Sequence, residues 1–363
     1  MAGYRSKKED KHDYASIKQK AIRKIHGMFY RKVGDKKKAY PLYRSYRHRN
    51  KKPVNGETSH FITEEPAYLA GFGHGLGAWR AGLIASTLLP ASYAYSKMVN
   101  EEWDEVLGLG ESFPQADELI RKGYKKVLLP YYDMSSEESL GLIRDIMASY
   151  NGQKVVFFNE YEQWTKKGDD IRGDELIREI FWASGQRKKD RLLYDPAMIN
   201  VAVHIRRGDV ETLRNLGDAS MNRRWMELGY YTRLMKDLAE NCPEAGNKKD
   251  LHFYVFSEGR EENFAELTDI VVNNGKRLKI TFCLDMAAPA SFLHICHADI
   301  ILAAPSSFSI EAGAICRGLK IVPDREWLIV PENDEWCRAD EEGMLKDKNI
   351  NEWIYRNLES GEI

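Results

Sequence analysis

Short apolar runs bounded by polar and turn residues alternate along the chain with stretches whose apolar positions recur every three or four residues. The second half shows this most clearly. Asn200–Ile205, Leu251–Phe256, Leu278–Cys283, Asp299–Ala304 and Lys320–Pro323 read as strands, because continuous apolar runs of this length suit strands buried on both faces. Helical spacing fills the gaps at Met226–Asn241, Arg260–Asn274, Ser291–His297 and Ser309–Leu319. The first half repeats the alternation. Lys125–Pro130 and Lys154–Glu160 read as strands, and Ser135–Tyr150 and Gly173–Gly185 as helices, the former capped by Ser135 or Ser136. Strand and helix in alternation predict parallel sheets covered on both faces.

Glu65–Leu89 reads as strand, glycine loop and helix: Gly71, Gly73, Gly75 and Gly77 alternate, then Ala81, Ile84, Ala85 and Leu88 follow at helical spacing. A loop there would offer free backbone N–H groups at the positive end of a helix, which suits a phosphate. It could equally be a tight turn packing strand on helix. The pattern is neither GxGxxG nor a P-loop, which argues against NAD and ATP.

Composition narrows the class. The chain has 363 residues, 43% hydrophobic and 30% charged, as expected of about two globular domains. No apolar run approaches the roughly 18 residues of a spanning helix, and Met1–Lys20 lacks the apolar core of a signal peptide. The five cysteines are an odd number without a CxxC pair, which points to buried, reduced thiols and a cytoplasmic location. The net charge of −1 conceals an asymmetry. Met1–Lys52 carries 18 Lys and Arg against 4 Asp and Glu, while the remainder carries 36 against 51. Such a basic arm can bind nucleic acid or another anionic partner, or pack on its own acidic body. The domains read as a basic arm over 1–60, a first α/β unit over 61–190 and a second over 191–363 with a C-terminal helix.

In a doubly wound sheet ligands sit beyond the carboxyl ends of the strands. Four polar strand ends fall there: "HIRRGD", "FSEGR", "CLD" and "APSSFS". Arg206 and Arg207 can make forked bonds to a diphosphate. Ser306, Ser307 and Ser309 lie where a strand enters a helix and can hold the same phosphates or simply cap the helix. Asp209 could orient an arginine; Asp285 could accept from a base or a ribose hydroxyl. The bland reading of Arg-Arg-Gly-Asp is a loop with an internal salt bridge. No convincing metal-binding DxD is present, so no metal is expected.

"VHIRRGD" resembles the HxRRxD peptide of the GDP-fucose-dependent fucosyltransferases. "FYVFSE", "HICHADIILAAPSSFSIEAGAI" and "GFGHGLGAWRAGLIAS" are similar to further blocks of that superfamily, in the right order and spanning much of Gly71–Gly318. The resemblance implies a GT-B-like α/β fold, two Rossmann-like domains facing across a cleft. It implies transfer of L-fucose from GDP-fucose to a glycan or protein hydroxyl, inverting and without metal or other cofactor. Arg206 would neutralise the departing diphosphate, with Arg207 in support and His204 facing the nucleotide. Ser306, Ser307 and Phe308 would line the phosphate and ribose side. Gly73, His74 and Gly75 would approach from the first domain, and Asp285 would contact guanine. The family's tandem Trp is replaced by Ile310 and Glu311, which leaves the acceptor class open. Asp209 and Glu211 are the candidate bases. Three other readings stand beside this one: a GT-B transferase using another nucleotide sugar, a non-catalytic GDP-sugar-binding module, and a nucleic-acid-binding protein acting through its arm.

Overall fold

The computed structural model describes residues 56–64, 72–97, 101–130, 132–159, 170–241, 250–273, 275–345 and 353. Of the basic arm expected over 1–60 only residues 56–60 are described, and Ser59 and His60 already belong to a strand; most of the expected C-terminal helix lies outside the described residues. The chain is an α/β protein with two wholly parallel sheets.

The first sheet holds β1 (Ser59–Glu64), β2 (Ser92–Tyr93), β3 (Lys125–Leu128) and β4 (Lys154–Asn159), in the order β2-β1-β4-β3. With it run helices α1 (Phe72–Leu88), α2 (Glu101–Leu107), α3 (Ala116–Arg121), α4 (Glu137–Ala148) and α5 (Asp170–Ala183). Ser136 caps α4, its hydroxyl accepting from the Ser139 N–H.

The second sheet holds β5 (Ile199–His204), β6 (Leu251–Ser257), β7 (Lys279–Leu284), β8 (Ile300–Leu302), β9 (Leu319–Pro323) and β10 (Trp336–Ala339). Its helices are α6 (Asp209–Asn215), α7 (Leu228–Asn241), α8 (Ala265–Thr268), α9 (Ala288–Cys296) and α10 (Ser307–Ile315). The strand order is β10-β9-β8-β5-β6-β7. Read in chain order from β5, this is the 3-2-1-4-5-6 order of dinucleotide-binding sheets, and its direction reverses between β5 and β8. Every residue of β5, β8 and β9 is buried, as in sheets covered on both faces, and the buried Lys320 of β9 pairs with Glu335 at 2.7 Å.

Helices join the two sheets. α10 packs against both α1 and α5. A Cβ on Gly73 of α1 would lie 2.7 Å from Ser307 Oγ, so only glycine allows this approach. Farther along, Arg80 of α1 bonds Asp174 of α5 and, at 3.4 Å, Glu311 of α10. Arg178 and Trp182 of α5 donate to the Ala314 and Ile315 carbonyls, at 3.2 and 2.9 Å, and so cap the C-terminal end of α10. One hydrophobic cluster contains Trp79 and Phe181 beside Ile295, Ala312 and Ile315.

Two expectations are corrected. The glycine run is not a loop, because α1 begins at Phe72 and takes in Gly73, Gly75 and Gly77. Phe72 stacks on Trp103 with ring centroids 3.5 Å apart, and this contact with the Gly73 approach outweighs the poor helix propensity of glycine. Arg260–Asn274 is not one helix. It divides into a 3-10 turn at Glu261–Phe264 and the short α8, and then Val271 bridges to Arg277. Two adjacent β-branched valines favour that extended path.

Candidate functional site

The four polar strand ends lie along one edge of the second sheet. A cavity of about 250 Å³ opens there, at the reversal point of the strand order. Its lining comes from the end of β5 (His204, Ile205, Arg206), the end of β6 (Phe256, Ser257, Glu258), the turn after β7 (Asp285, Met286), and Phe308 at the start of α10. This volume is below the usual range for enclosing a whole drug-sized ligand. A nucleotide sugar would therefore lie only partly inside it.

The two arginines diverge. Arg206 lines the cavity with its side chain 28% exposed. Its Nη2 donates to Asp209 Oδ1, and its Nη1 stands 3.9 Å from Glu258 Oε2. Arg207 is buried and takes no part in the lining. Its guanidinium lies 3.9 Å from the centre of the Trp225 ring, and Nη1 donates to the Arg206 carbonyl at 3.0 Å. Both residues lie beyond the end of β5, and Arg207 turns to Trp225 while Arg206 faces the cavity.

His204, the last residue of β5, is buried, and its Nδ1 bonds the Ser309 hydroxyl across the reversal point. Burial, with the neighbouring Arg206 charge, lowers its pKa to about 3. The ring is therefore neutral at physiological pH and adds no charge to the cavity. Phe308 lies 5.2 Å from it, centroid to centroid. Ser306 is the N-cap of α10, its hydroxyl accepting from the Phe308 N–H at 3.3 Å. Ser307 is exposed and touches the Gly73 position rather than the cavity lining.

Asp285 has φ 51, the one non-glycine positive φ among the described residues. Aspartate tolerates this region better than most residues. Its Oδ1 accepts from the Gly259 N–H at 3.1 Å, which links the turns after β6 and β7. Asp209 opens α6, three residues along from Arg206. Glu211 is exposed on the same helix and does not line the cavity. The side chain of His74 lies outside what the structure describes, and Gly75 lies in α1 with open space beside it. Glu258 is the functional candidate that residue-level reading passed over. "FSEGR" marked a polar strand end, but nothing local in it shows a carboxylate reaching Arg206.

Among the described residues no three His, Cys, Asp or Glu side chains gather as a metal site, and no helix is long and apolar enough to cross a membrane. Cys283, Cys296, Cys316 and Cys337 are buried, and burial pushes the Cys283 thiol up to about 11.

No family model matches the chain, and no curated protein matches it in sequence. Among solved structures, the chain is similar to the apo form of POFUT1, with a TM-score of 0.44 and 11% identity over 72% of this chain and 96% of that one. A likeness this shallow carries no argument about chemistry.

Proposed function

We propose that this chain is a glycosyltransferase that takes its sugar from a nucleoside diphosphate. GDP-fucose is the proposed donor and a glycan or protein hydroxyl the proposed acceptor, on a GT-B plan. One observation carries the reading: Arg206 stands on the wall of a cavity at the reversal point of a 3-2-1-4-5-6 sheet. That crevice is where such sheets bind nucleotides. The choice of GDP-fucose rests on the ordered peptides around HxRRxD.

In the proposed reaction an acceptor hydroxyl oxygen forms a bond to the anomeric carbon on the face opposite the diphosphate, and its proton passes to solvent water. The bond from that carbon to the diphosphate oxygen breaks, and GDP departs with the electron pair. Arg206 offers a planar, charged fork to the departing charge from the cavity wall. Asp209 orients that fork. Its bond to Arg206 supports that role. The N-terminal ends of α10 and α1 meet at Ser307 and Gly73, so two helix dipoles add positive potential nearby. Phe256, Phe308 and Met286 supply apolar surface for a base or sugar face. With Arg206 and helix ends in the cation's role, the reaction is proposed to run without metal.

The test is a donor panel. GDP should raise the melting temperature more than UDP, ADP or CMP, since a ligand that binds only the native state must stabilise it. GDP-fucose turnover with an acceptor should persist in EDTA. A shift with UDP or ADP and none with GDP overturns the donor. Activity lost to EDTA and restored by manganese overturns the metal-free mechanism.

A further inference from the structure

Arg206 is engaged on both sides, by carboxylates of different kinds. Asp209 is local, three residues along in the first turn of α6, and lies outside the cavity lining. Glu258 arrives from the turn after β6 and lines the cavity. Its Oε2 stands 3.9 Å from Arg206 Nη1, and its side chain is 55% exposed. The seat for this carboxylate is cut into the Arg206 peptide itself. Gly208 has φ 56 and ψ −110, a conformation suited to glycine, and a Cβ there would overlap the Glu258 carboxyl group. On the other side, Gly259 at φ 121 turns the chain back and donates its N–H to Asp285. The carboxylate thus rests against backbone, beside the one cavity-lining arginine, where an incoming anion would lie.

We propose that Glu258 is a built-in competitor for Arg206: a placeholder carboxylate that pairs with it in the free protein and yields to a bound diphosphate, while Asp209 stays. The inference rests on the reading that a diphosphate binds at Arg206. The asymmetry follows from geometry. Asp209 is bonded to Nη2 and lies outside the cavity lining, whereas Glu258 lines it, so a diphosphate arriving through the cavity meets Glu258 first. Such a placeholder keeps the guanidinium aimed at the site when no donor is bound. It also opposes retention of the diphosphate product.

An exposed pair of this separation is weak, so its removal should tighten anion binding by about two- to fivefold. Calorimetric titration of GDP, UDP, ADP, inorganic pyrophosphate and guanosine into the wild type, Glu258→Gln and Asp209→Asn tests this. Glu258→Gln should bind each diphosphate that the wild type binds, and pyrophosphate, two- to fivefold more tightly, with guanosine and melting temperature unchanged. Asp209→Asn should bind them more weakly. Unchanged or weaker diphosphate binding by Glu258→Gln overturns the proposal, and an accompanying loss for guanosine would make Glu258 a nucleoside contact instead. A gain seen with UDP or ADP while GDP fails to bind supports the competitor and sinks only the donor assignment. If neither the wild type nor Glu258→Gln binds any diphosphate, the competitor and the donor site fall together.

Discussion

The carboxyl edges of the two sheets are built alike and finished differently. In the first, Glu64 at the end of β1 stands in register with Asn159 at the end of β4. The Tyr93 hydroxyl donates to both Glu64 oxygens, at 3.1 and 2.9 Å, and the Tyr132 hydroxyl donates to Asn159 Oδ1 at 3.0 Å. Glu64 is 4% exposed and Asn159 0%. In the second, Arg206, Glu258 and Asp285 face a cavity, with Glu258 55% exposed. A polar residue at a strand end is therefore not by itself a site. Where tyrosines supply the hydrogen bonds the polar strand ends are buried, and where the chain leaves charges reachable they can meet a ligand.

The largest effect expected from this contrast is at Arg206. Arg206→Ala should lower turnover on the order of 100- to 1000-fold, the usual loss for one preorganised stabilising group. Arg206→Lys should recover little, because a point charge cannot reproduce the fork. Steady-state turnover beside GDP affinity and melting temperature checks this. Near wild-type turnover in folded Arg206→Ala would remove the second edge from the chemistry.

Much of this edge was legible in the sequence, because a buried parallel strand announces itself as an apolar run and its polar terminus follows directly. Ile199–His204 and Ile300–Leu302 are such cases. β10 was not legible, since Trp336–Ala339 is four residues long and includes Arg338. Nor was the seat of Glu258, which depends on Gly208 lacking a side chain some fifty residues away. The glycines of α1 misled for a related reason. Local propensity reads them as loop, whereas the contacts of Phe72 with Trp103 and of Gly73 with Ser307 are distant in sequence. The pairing of Glu64 with Asn159 likewise spans two strands that no short window contains.

Arg207 sharpens the comparison within the second edge. It is buried against Trp225 and away from the cavity. Arg207→Ala should cost about 2 kcal/mol of stability, the scale of a desolvated cation–π contact. Turnover of the folded fraction should stay within a few-fold of wild type. Urea unfolding and turnover on one preparation separate the two arginines. A turnover loss matching that of Arg206→Ala, at unchanged stability, would show that the pair acts as a unit.

His204 gives the second edge a pH signature. Its folded pKa of about 3 lies below the ordinary histidine value. The folded state thus binds fewer protons, and the stabilisation is present above about pH 6.5 and lost as the pH falls. Where His204 dominates, the slope approaches about 1.4 kcal/mol per pH unit. His204→Asn, which can keep a bond to the Ser309 hydroxyl, should remove that slope. Unfolding free energies between pH 4 and 7 check it, and an identical slope in the variant would place the titration elsewhere.

Glu64 should give the first edge a signature of opposite sign. Burial pushes its carboxyl pKa well up, and the Tyr93 hydroxyl offsets this only in part. The folded state therefore holds a proton that the unfolded chain releases. Its stabilisation is fully present below the unfolded carboxyl value of about 4.3 and is lost as the pH rises through the folded value. Glu64→Gln replaces the carboxyl with a neutral group of the same shape, whose oxygen can still accept from Tyr93. The variant should match the wild type near pH 4 and melt higher at pH 7 to 8, by an amount below that of the His204 effect if Tyr93 recovers part of the cost. Gly82 packs so closely on this carboxyl group that a Cβ there would overlap it, which leaves little room for the charged form to draw in water. A Glu64→Gln protein that is less stable at pH 8 with unchanged turnover would mean the edge holds a carboxylate its tyrosines fully satisfy. Turnover lost with stability intact would mean that the first edge, buried as Glu64 is, takes part in the reaction after all.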